Sequence, residues 1–196
     1  MTDQTKLAAL SDSPTSDTIR SASVTSTFAK GGLVEPTDAQ KKAGNYRKLH
    51  TSVQGMDLSI ENEKGSTRSG IGKDGKKWSV VMPAHYGYIK GTTGADGDHV
   101  DAYLGPHAGH PLIYVVDQLD ADTGKFDEHK VLIGFKSKRD ALDHYYRGFS
   151  DGRGKDRVGA VTTMPAGEFR AWVDKGRRTR PLGSIRIKHF AKGGFV

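Results

Sequence analysis

The chain has no cysteine among its 196 residues. That excludes disulfides, thiolate metal sites and cysteine nucleophiles together. It also has no apolar run near the roughly 18 residues that a membrane helix requires, and residues 112–116 read instead as a buried strand. The opening residues Met1-Thr2-Asp3-Gln4-Thr5-Lys6 contain no apolar signal core, so secretion is not expected and a cytoplasmic location is. No GxSxG nucleophile elbow occurs, since Gly148-Phe149-Ser150-Asp151-Gly152 lacks its spacing. A Walker lysine motif is likewise missing. What remains is 35% hydrophobic and 27% charged, the composition of one soluble globular domain with extensions.

Acidic residues are missing from 175–196, where Lys175, Arg177, Arg178, Arg180, Arg186, Lys188 and Lys192 stand. These seven equal the formal net charge of +7, so residues 1–174 balance to zero. The basic character therefore belongs to the C-terminal tail, which suits contact with nucleic acid or with an acidic partner surface.

Residues 1–38 are rich in Ser, Thr and Asp and poor in large apolar side chains. Such a segment buries too little surface to offset its ordering entropy and reads as an arm, mobile or ordered by a partner. A short echo links the two ends: Phe28-Ala29-Lys30-Gly31-Gly32-Leu33-Val34 recurs as Phe190-Ala191-Lys192-Gly193-Gly194-Phe195-Val196. Two copies are too few for a solenoid; they are glycine-rich linkers or paired docking peptides. The resulting division is an arm at 1–38, a domain at 39–180 and a basic tail at 181–196.

Between the arms the pattern is mostly β. Strands are predicted at 56–60, 78–82, 88–89, 102–104, 112–116, 131–135 and 158–162, with Asp74-Gly75 as a hairpin turn. Ser137 can cap a helix carrying Ala141, Leu142, Tyr145, Tyr146 and Phe149 and ending before Gly152. A second helix starts at Pro165, presents Phe169, Trp172 and Val173, and stops at Gly176. Many short strands with two helices predict a mainly β, α+β chain built round a small barrel. Trp78 and Trp172 read as packing residues.

Asp96-Gly97-Asp98-His99-Val100-Asp101 puts three carboxylates within six positions. Gly97 permits a tight turn, so the three can converge. Crowded carboxylates repel unless a cation lies between them, and hard divalent cations such as Mg²⁺ prefer oxygen donors. His99, His107 and His110 lie nearby, but the oxygen set favours a hard cation over zinc, and they read as loop histidines.

The surrounding string MPAHYGYIKGTTGADGDHVDAYLGP, residues 82–106, resembles the signature region of the soluble family I inorganic pyrophosphatases. Proline, two tyrosines about a glycine, isoleucine, threonine and DGDxxD occur in the family's order and spacing. Residues 43–46 and 65–70 extend the likeness toward the bacteriophage-encoded members. The resemblance implies an OB-like five-stranded β-barrel with flanking helices and Mg²⁺-dependent hydrolysis of pyrophosphate. By position it implies metal ligation by Asp96, Asp98, Asp101 and Glu128. One further ligand comes from among Asp117, Asp120 and Asp122, with Asp117 and Asp122 carried forward. Asp98 would help deprotonate water, with Tyr86 near the nucleophile. Glu61, Lys64, Arg68, Lys130, Tyr146 and Arg147 would contact substrate. Two positions depart from the pattern: His99 replaces the proline after DGD, and Met82 an aromatic.

The chemistry agrees with the resemblance. Breaking a phosphoanhydride develops charge on non-bridging and leaving oxygens, so a site needs Lys, Arg and metal cations. Two functions remain open at this point. One is hydrolysis of pyrophosphate or a related phosphoanhydride with Mg²⁺. The other is a phage virion or assembly protein that uses the same fold, with its termini docking onto neighbouring subunits or further copies of the chain.

Overall fold

Gln54 and Gly55 both adopt positive φ, 56° and 76°, the pairing that a two-residue type I′ hairpin requires. They join β1 (Leu49–Val53) to β2 (Met56–Asn62), with Val53 opposite Met56. Glutamine rather than asparagine at the first position hides this turn in the sequence, and β1 was not predicted. The turn is anchored: Gln54 Nε2 donates to the carbonyls of Ala108 (3.1 Å) and His110 (2.6 Å), and its own carbonyl accepts from Arg170 (2.6 Å).

The computed structural model describes residues 37–43, 46–72 and 74–183. Both copies of the terminal echo, residues 1–36 of the arm and the basic residues Arg186, Lys188 and Lys192 lie outside this range. A short helix, α1 (Asp38–Ala43), precedes the hairpin. There follow β3 (Thr67–Ile71), β4 (Lys77–Val81), β5 (His85–Ile89), β6 (Asp101–Leu104), β7 (Leu112–Leu119) and β8 (Phe126–Ile133). The described chain finishes with α2 (Lys138–Arg147), β9 (Val158–Pro165) and α3 (Ala166–Lys175). No helix among the described residues is long and apolar enough to cross a membrane.

Among the described residues seven strands form one mixed sheet in the order β1-β2-β5-β6-β8-β7-β9, and β3 pairs with β4 in a separate two-stranded sheet. The chain is mainly β with flanking helices, as expected; the sheet has seven strands where five were anticipated. The β6–β8 pairing is parallel, whereas the other pairs are antiparallel.

Strict alternation divides this sheet into two buried faces. Leu58, Ile60, Ala102, Leu104, Ile113, Val115, Val131 and Ile133 build one cluster with Phe169 and Val173 of α3. Tyr86, Tyr103, Tyr114, Val116 and Leu132 build the other with Ala141 and Tyr145 of α2. Ser137 caps α2 as predicted, accepting the Asp140 N–H at 3.1 Å. The helix stops at Arg147, five residues short of Gly152. Gly148 closes it, and a Cβ there would lie 2.4 Å from the Tyr103 hydroxyl. Phe149 thus leaves the helix and reaches the cavities described below. The second helix starts after Pro165 and ends at Gly176, as predicted.

Close approach also decides the β2–β5 contact. A Cβ on Gly87 would lie 1.9 Å from the Ser59 carbonyl oxygen, so only glycine lets β5 press against β2 and bring Tyr86 and Tyr88 over the site.

Candidate active site

The α2-facing side of the sheet carries a row of polar side chains beyond its tyrosines. Period-two alternation on β8 turns Glu128 and Lys130 to the same face as Leu132. The parallel register sets Asp101 beside Lys130, and the antiparallel one sets Tyr86 beside Tyr103 and Tyr88 beside Asp101. Lys130 Nζ pairs with Asp101 Oδ2, lies 2.8 Å from Glu128 Oε1 and donates to the Tyr86 hydroxyl at 3.2 Å. The Tyr86 hydroxyl in turn donates to Asp101 Oδ2 at 2.5 Å.

Burial and the neighbouring charges together set the protonation states. It pushes the Tyr86 phenol well above its ordinary value, and the Asp101 carboxylate adds to the shift, so Tyr86 is a neutral donor. Burial opposes charge on Lys130, but Tyr86, Asp101 and Glu128 outweigh it and hold the ammonium well above the usual lysine range. Glu128 rises through burial, although Lys130 pulls the other way. The Arg68 guanidinium lies 4.7 Å from the Tyr86 ring centroid and 5.2 Å from that of Trp78, completing the cationic side.

Glu61 enters from β2. It accepts from Tyr46 at 2.8 Å and pairs with Lys48 at 2.9 Å. Burial, then Glu61, pushes the Tyr46 phenol up to about 12. Lys48 also reaches about 12, because Glu61 outweighs the burial that works against its charge.

The acidic rim is the 94–98 loop. Gly97 takes φ 93°, the Asp98 N–H bonds Asp96 Oδ1 at 3.1 Å, and the Gly94 N–H bonds the Asp98 carbonyl at 2.6 Å. His99 braces this loop in place of proline. Its Nδ1 meets the Thr92 carbonyl at 2.6 Å, which makes Nδ1 the donor, and its ring stacks on Tyr88 at 4.6 Å and 14°. The resulting pocket, about 350 Å³, is lined by Glu61, Arg68, Tyr86, Asp96, Asp98, Asp101, Tyr103, Gln118, Glu128 and Lys130, with Gly148 and Phe149 at one side.

A model of the family described as Inorganic Pyrophosphatase matches residues 38–174. The chain belongs to this family. Among solved structures, an inorganic pyrophosphatase from Neisseria gonorrhoeae is similar at 17% identity. It covers 62% of this chain and 88% of its own, with a TM-score of 0.36. A protein titled inorganic phosphatase from Anaplasma phagocytophilum has 16% identity, 72% and 95% coverage, and a TM-score of 0.34. The Helicobacter pylori inorganic pyrophosphatase has 18% identity, 70% and 87% coverage, and a TM-score of 0.30. At these values the overlap in space is partial, and membership rests on the family model. No curated protein matches the chain.

Of the residues that the pyrophosphatase signature implied, eight meet in the pocket: Glu61, Arg68, Tyr86, Asp96, Asp98, Asp101, Glu128 and Lys130. Six others lie elsewhere. Asp117 points to the opposite face, where its carboxylate lies 3.1 Å from His129 Nε2 and accepts the N–H groups of Leu182 (3.0 Å) and Gly183 (2.8 Å). Asp122 pairs with Arg153 at 2.6 Å on an exposed loop, where Asp120 caps the turn. Lys64 lines a separate 90 Å³ cavity with His85 and His144. Tyr146 packs under Lys155, and the exposed Arg147 donates to the Asp143 carbonyl. Alternation explains the Asp117 result: its neighbours Val116 and Gln118 take the site face, so Asp117 cannot.

Gln118 was missed by sequence reading. Its Nε2 donates to Glu128 (3.0 Å) and Asp127 (3.2 Å), and its Oε1 accepts from Tyr145 (3.0 Å). It therefore fixes Glu128 from the neighbouring strand. Lys48, Tyr46 and Tyr103 were also missed: Tyr46 and Tyr103 stand inside the runs at 43–46 and 82–106 but outside the acidic motif, and Lys48 has no motif around it.

The donor chemistry fits a hard divalent cation. The pocket is lined by five carboxylates, Glu61, Asp96, Asp98, Asp101 and Glu128, against Arg68 and Lys130, and this excess of negative oxygen suits such ions. Among the described residues no group of three or more His, Asp or Glu side chains converges closely enough to hold a metal. The Lys130 ammonium stands between Asp101 and Glu128, where it serves as their counter-ion.

Proposed function

We propose that the chain hydrolyses the phosphoanhydride bond of inorganic pyrophosphate with Mg²⁺. The observation that carries this reading is the coexistence, in one pocket, of an acidic rim and a buried cation–phenol pair, Lys130 with Tyr86. A pyrophosphate anion entering beside five carboxylates needs accompanying cations; Asp96, Asp98, Asp101 and Glu128, drawn together round the ion, would hold Mg²⁺, which would neutralise the anion and acidify the attacking water. Asp117 and Asp122 have no part in that set.

The chain's own groups then divide the work. Asp98, exposed at the rim, accepts the proton of the attacking water. Water oxygen bonds one phosphorus, and the bond from that phosphorus to the bridging oxygen breaks, leaving its electron pair on the departing phosphate. Lys130 and Arg68 face the developing charge, and Arg68 offers a bidentate fork for non-bridging oxygens. Tyr86, held neutral by burial, donates without adding charge.

The test is phosphate release from pyrophosphate in Mg²⁺ by the wild type and by Asp98→Ala. The variant should lose about 10²-fold or more in kcat, the scale of a positioned general base. Equal rates in the two proteins would remove Asp98 from the mechanism.

A second reading rests on the repeated ends at 28–34 and 190–196: the same fold would act in a phage particle, docking through its termini. Deleting residues 1–36 and 184–196 tests it by native mass spectrometry of the protein with its particle. Retained association would sink that reading.

A further inference from the structure

A second cavity, about 540 Å³, opens beside the acidic pocket, and the two share Arg68, Gly148 and Phe149. Each lies within the roughly 300–1,000 Å³ range of small-molecule sites. Hydrolysis of inorganic pyrophosphate uses only the first; two phosphoryl groups leave the second without an occupant.

Its lining differs in kind. Trp78 and Phe149 supply aromatic surface, and Asp120, Asp127 and Asp151 supply acceptors. The Trp78 ring is laid against Gly70, where a Cβ would lie 2.6 Å from Cζ2, and so its position on the hairpin is fixed. The one arginine confined to this cavity, Arg157, is already engaged. Both its terminal nitrogens bond Asp151, at 3.0 and 2.7 Å, and its plane covers one face of Phe149 at 4.5 Å. Among the described residues the cavity therefore offers no cation of its own to a further phosphate. It suits a neutral group that is flat enough to stack and that carries hydroxyl or amino donors for carboxylates.

We propose that the chain takes a nucleoside 5′-diphosphate, with the diphosphate in the acidic pocket, Arg68 at the junction and the nucleoside beside Trp78. This rests on the phosphoanhydride reading of the first pocket. In the reaction, water oxygen bonds the terminal phosphorus and the bond from that phosphorus to the bridging oxygen breaks. The electron pair leaves on the nucleoside monophosphate, orthophosphate forms, and the released proton passes to Asp98 and then to solvent.

Calorimetry on the full chain in Mg²⁺ compares two non-hydrolysable probes, methylene-bisphosphonate and adenosine 5′-(α,β-methylene)diphosphate. The nucleoside probe should bind at least about tenfold tighter, the scale of one stacked base. Ser150→Trp, from an exposed position lining only the second cavity, should erase that advantage and leave the bisphosphonate unchanged. Equal affinities in the wild type, or an advantage that survives Ser150→Trp, overturn the nucleoside site. Pyrophosphate turnover is measured alongside. Turnover with equal probe affinities sinks this inference alone. A tighter nucleoside probe without turnover supports the site and sinks the hydrolysis reading.

Discussion

Lys130 and Glu128 lie 2.8 Å apart, Nζ to Oε1, two residues along the same face of β8. Neither charge is free: Asp101 approaches the ammonium from the parallel neighbour β6, and Gln118 holds the carboxylate from the antiparallel neighbour β7. Three strands thus meet at one buried cation. Lys130→Met leaves Asp101 and Glu128 facing each other without it. Breaking a buried pair on one side costs about 3–5 kcal/mol, so urea denaturation should show a loss of roughly 3 kcal/mol. A midpoint unchanged from wild type would mean that water already screens the group.

Asp117→Asn separates structure from chemistry. Asp117 holds Leu182 and Gly183 by their N–H groups and lies against buried His129, on the face away from the pocket. An amide keeps one acceptor and turns an N–H donor toward other donors. The variant should lose about 1–3 kcal/mol of stability while kcat on pyrophosphate stays at the wild-type value. A large fall in kcat for folded protein would return Asp117 to the ligand set.

Gly87→Ala tests the strand contact beneath the tyrosines. The added methyl would meet the Ser59 carbonyl at 1.9 Å, and backbone cannot yield as a flexible side chain does. Overpacking of this kind costs about 1–3 kcal/mol or more. The denaturation midpoint should fall accordingly; an unaltered midpoint contradicts the packing described.

How much of this was legible in the sequence follows from what each residue's position depends on. Asp96, Asp98, Asp101, Tyr86, Glu128 and Lys130 stand in local motifs, and local spacing brings them to one pocket. Ser137 and Gly176 marked helix ends for the same reason. Asp117, Asp120 and Asp122 stand level in the sequence, because the choice depends on where β7 ends and on which of its residues face β8's polar row. With Gln118 opposite Glu128 in the register, that parity becomes plain. Lys64, Tyr146 and Arg147 lie outside the pocket for another reason: their placement depends on a hairpin and a helix end set by Gly148 against Tyr103. β1 escaped notice because its turn uses Gln54 at positive φ.

Acid should weaken the 148–157 segment through one carboxylate. Hydrogen bonding to Arg157 holds Asp151 below the ordinary aspartate value, against the opposing effect of its partial burial. A depressed folded-state pKa means that the contribution is complete above the unfolded value, roughly 3.9. It is lost as pH falls through the lower folded value. Thermal midpoints measured from pH 7 down to about 2 should fall less steeply for Asp151→Asn than for wild type. Parallel curves would contradict the assignment.

The central claim is that the pocket around Tyr86, Asp101, Glu128 and Lys130 breaks a phosphoanhydride with a divalent cation. Its most direct test is the initial rate of phosphate release from pyrophosphate by the full chain, in Mg²⁺ and after chelation with EDTA. The account predicts turnover in Mg²⁺, its loss on chelation and its recovery when Mg²⁺ is restored. No release in Mg²⁺, or release that persists undiminished in EDTA, would contradict it.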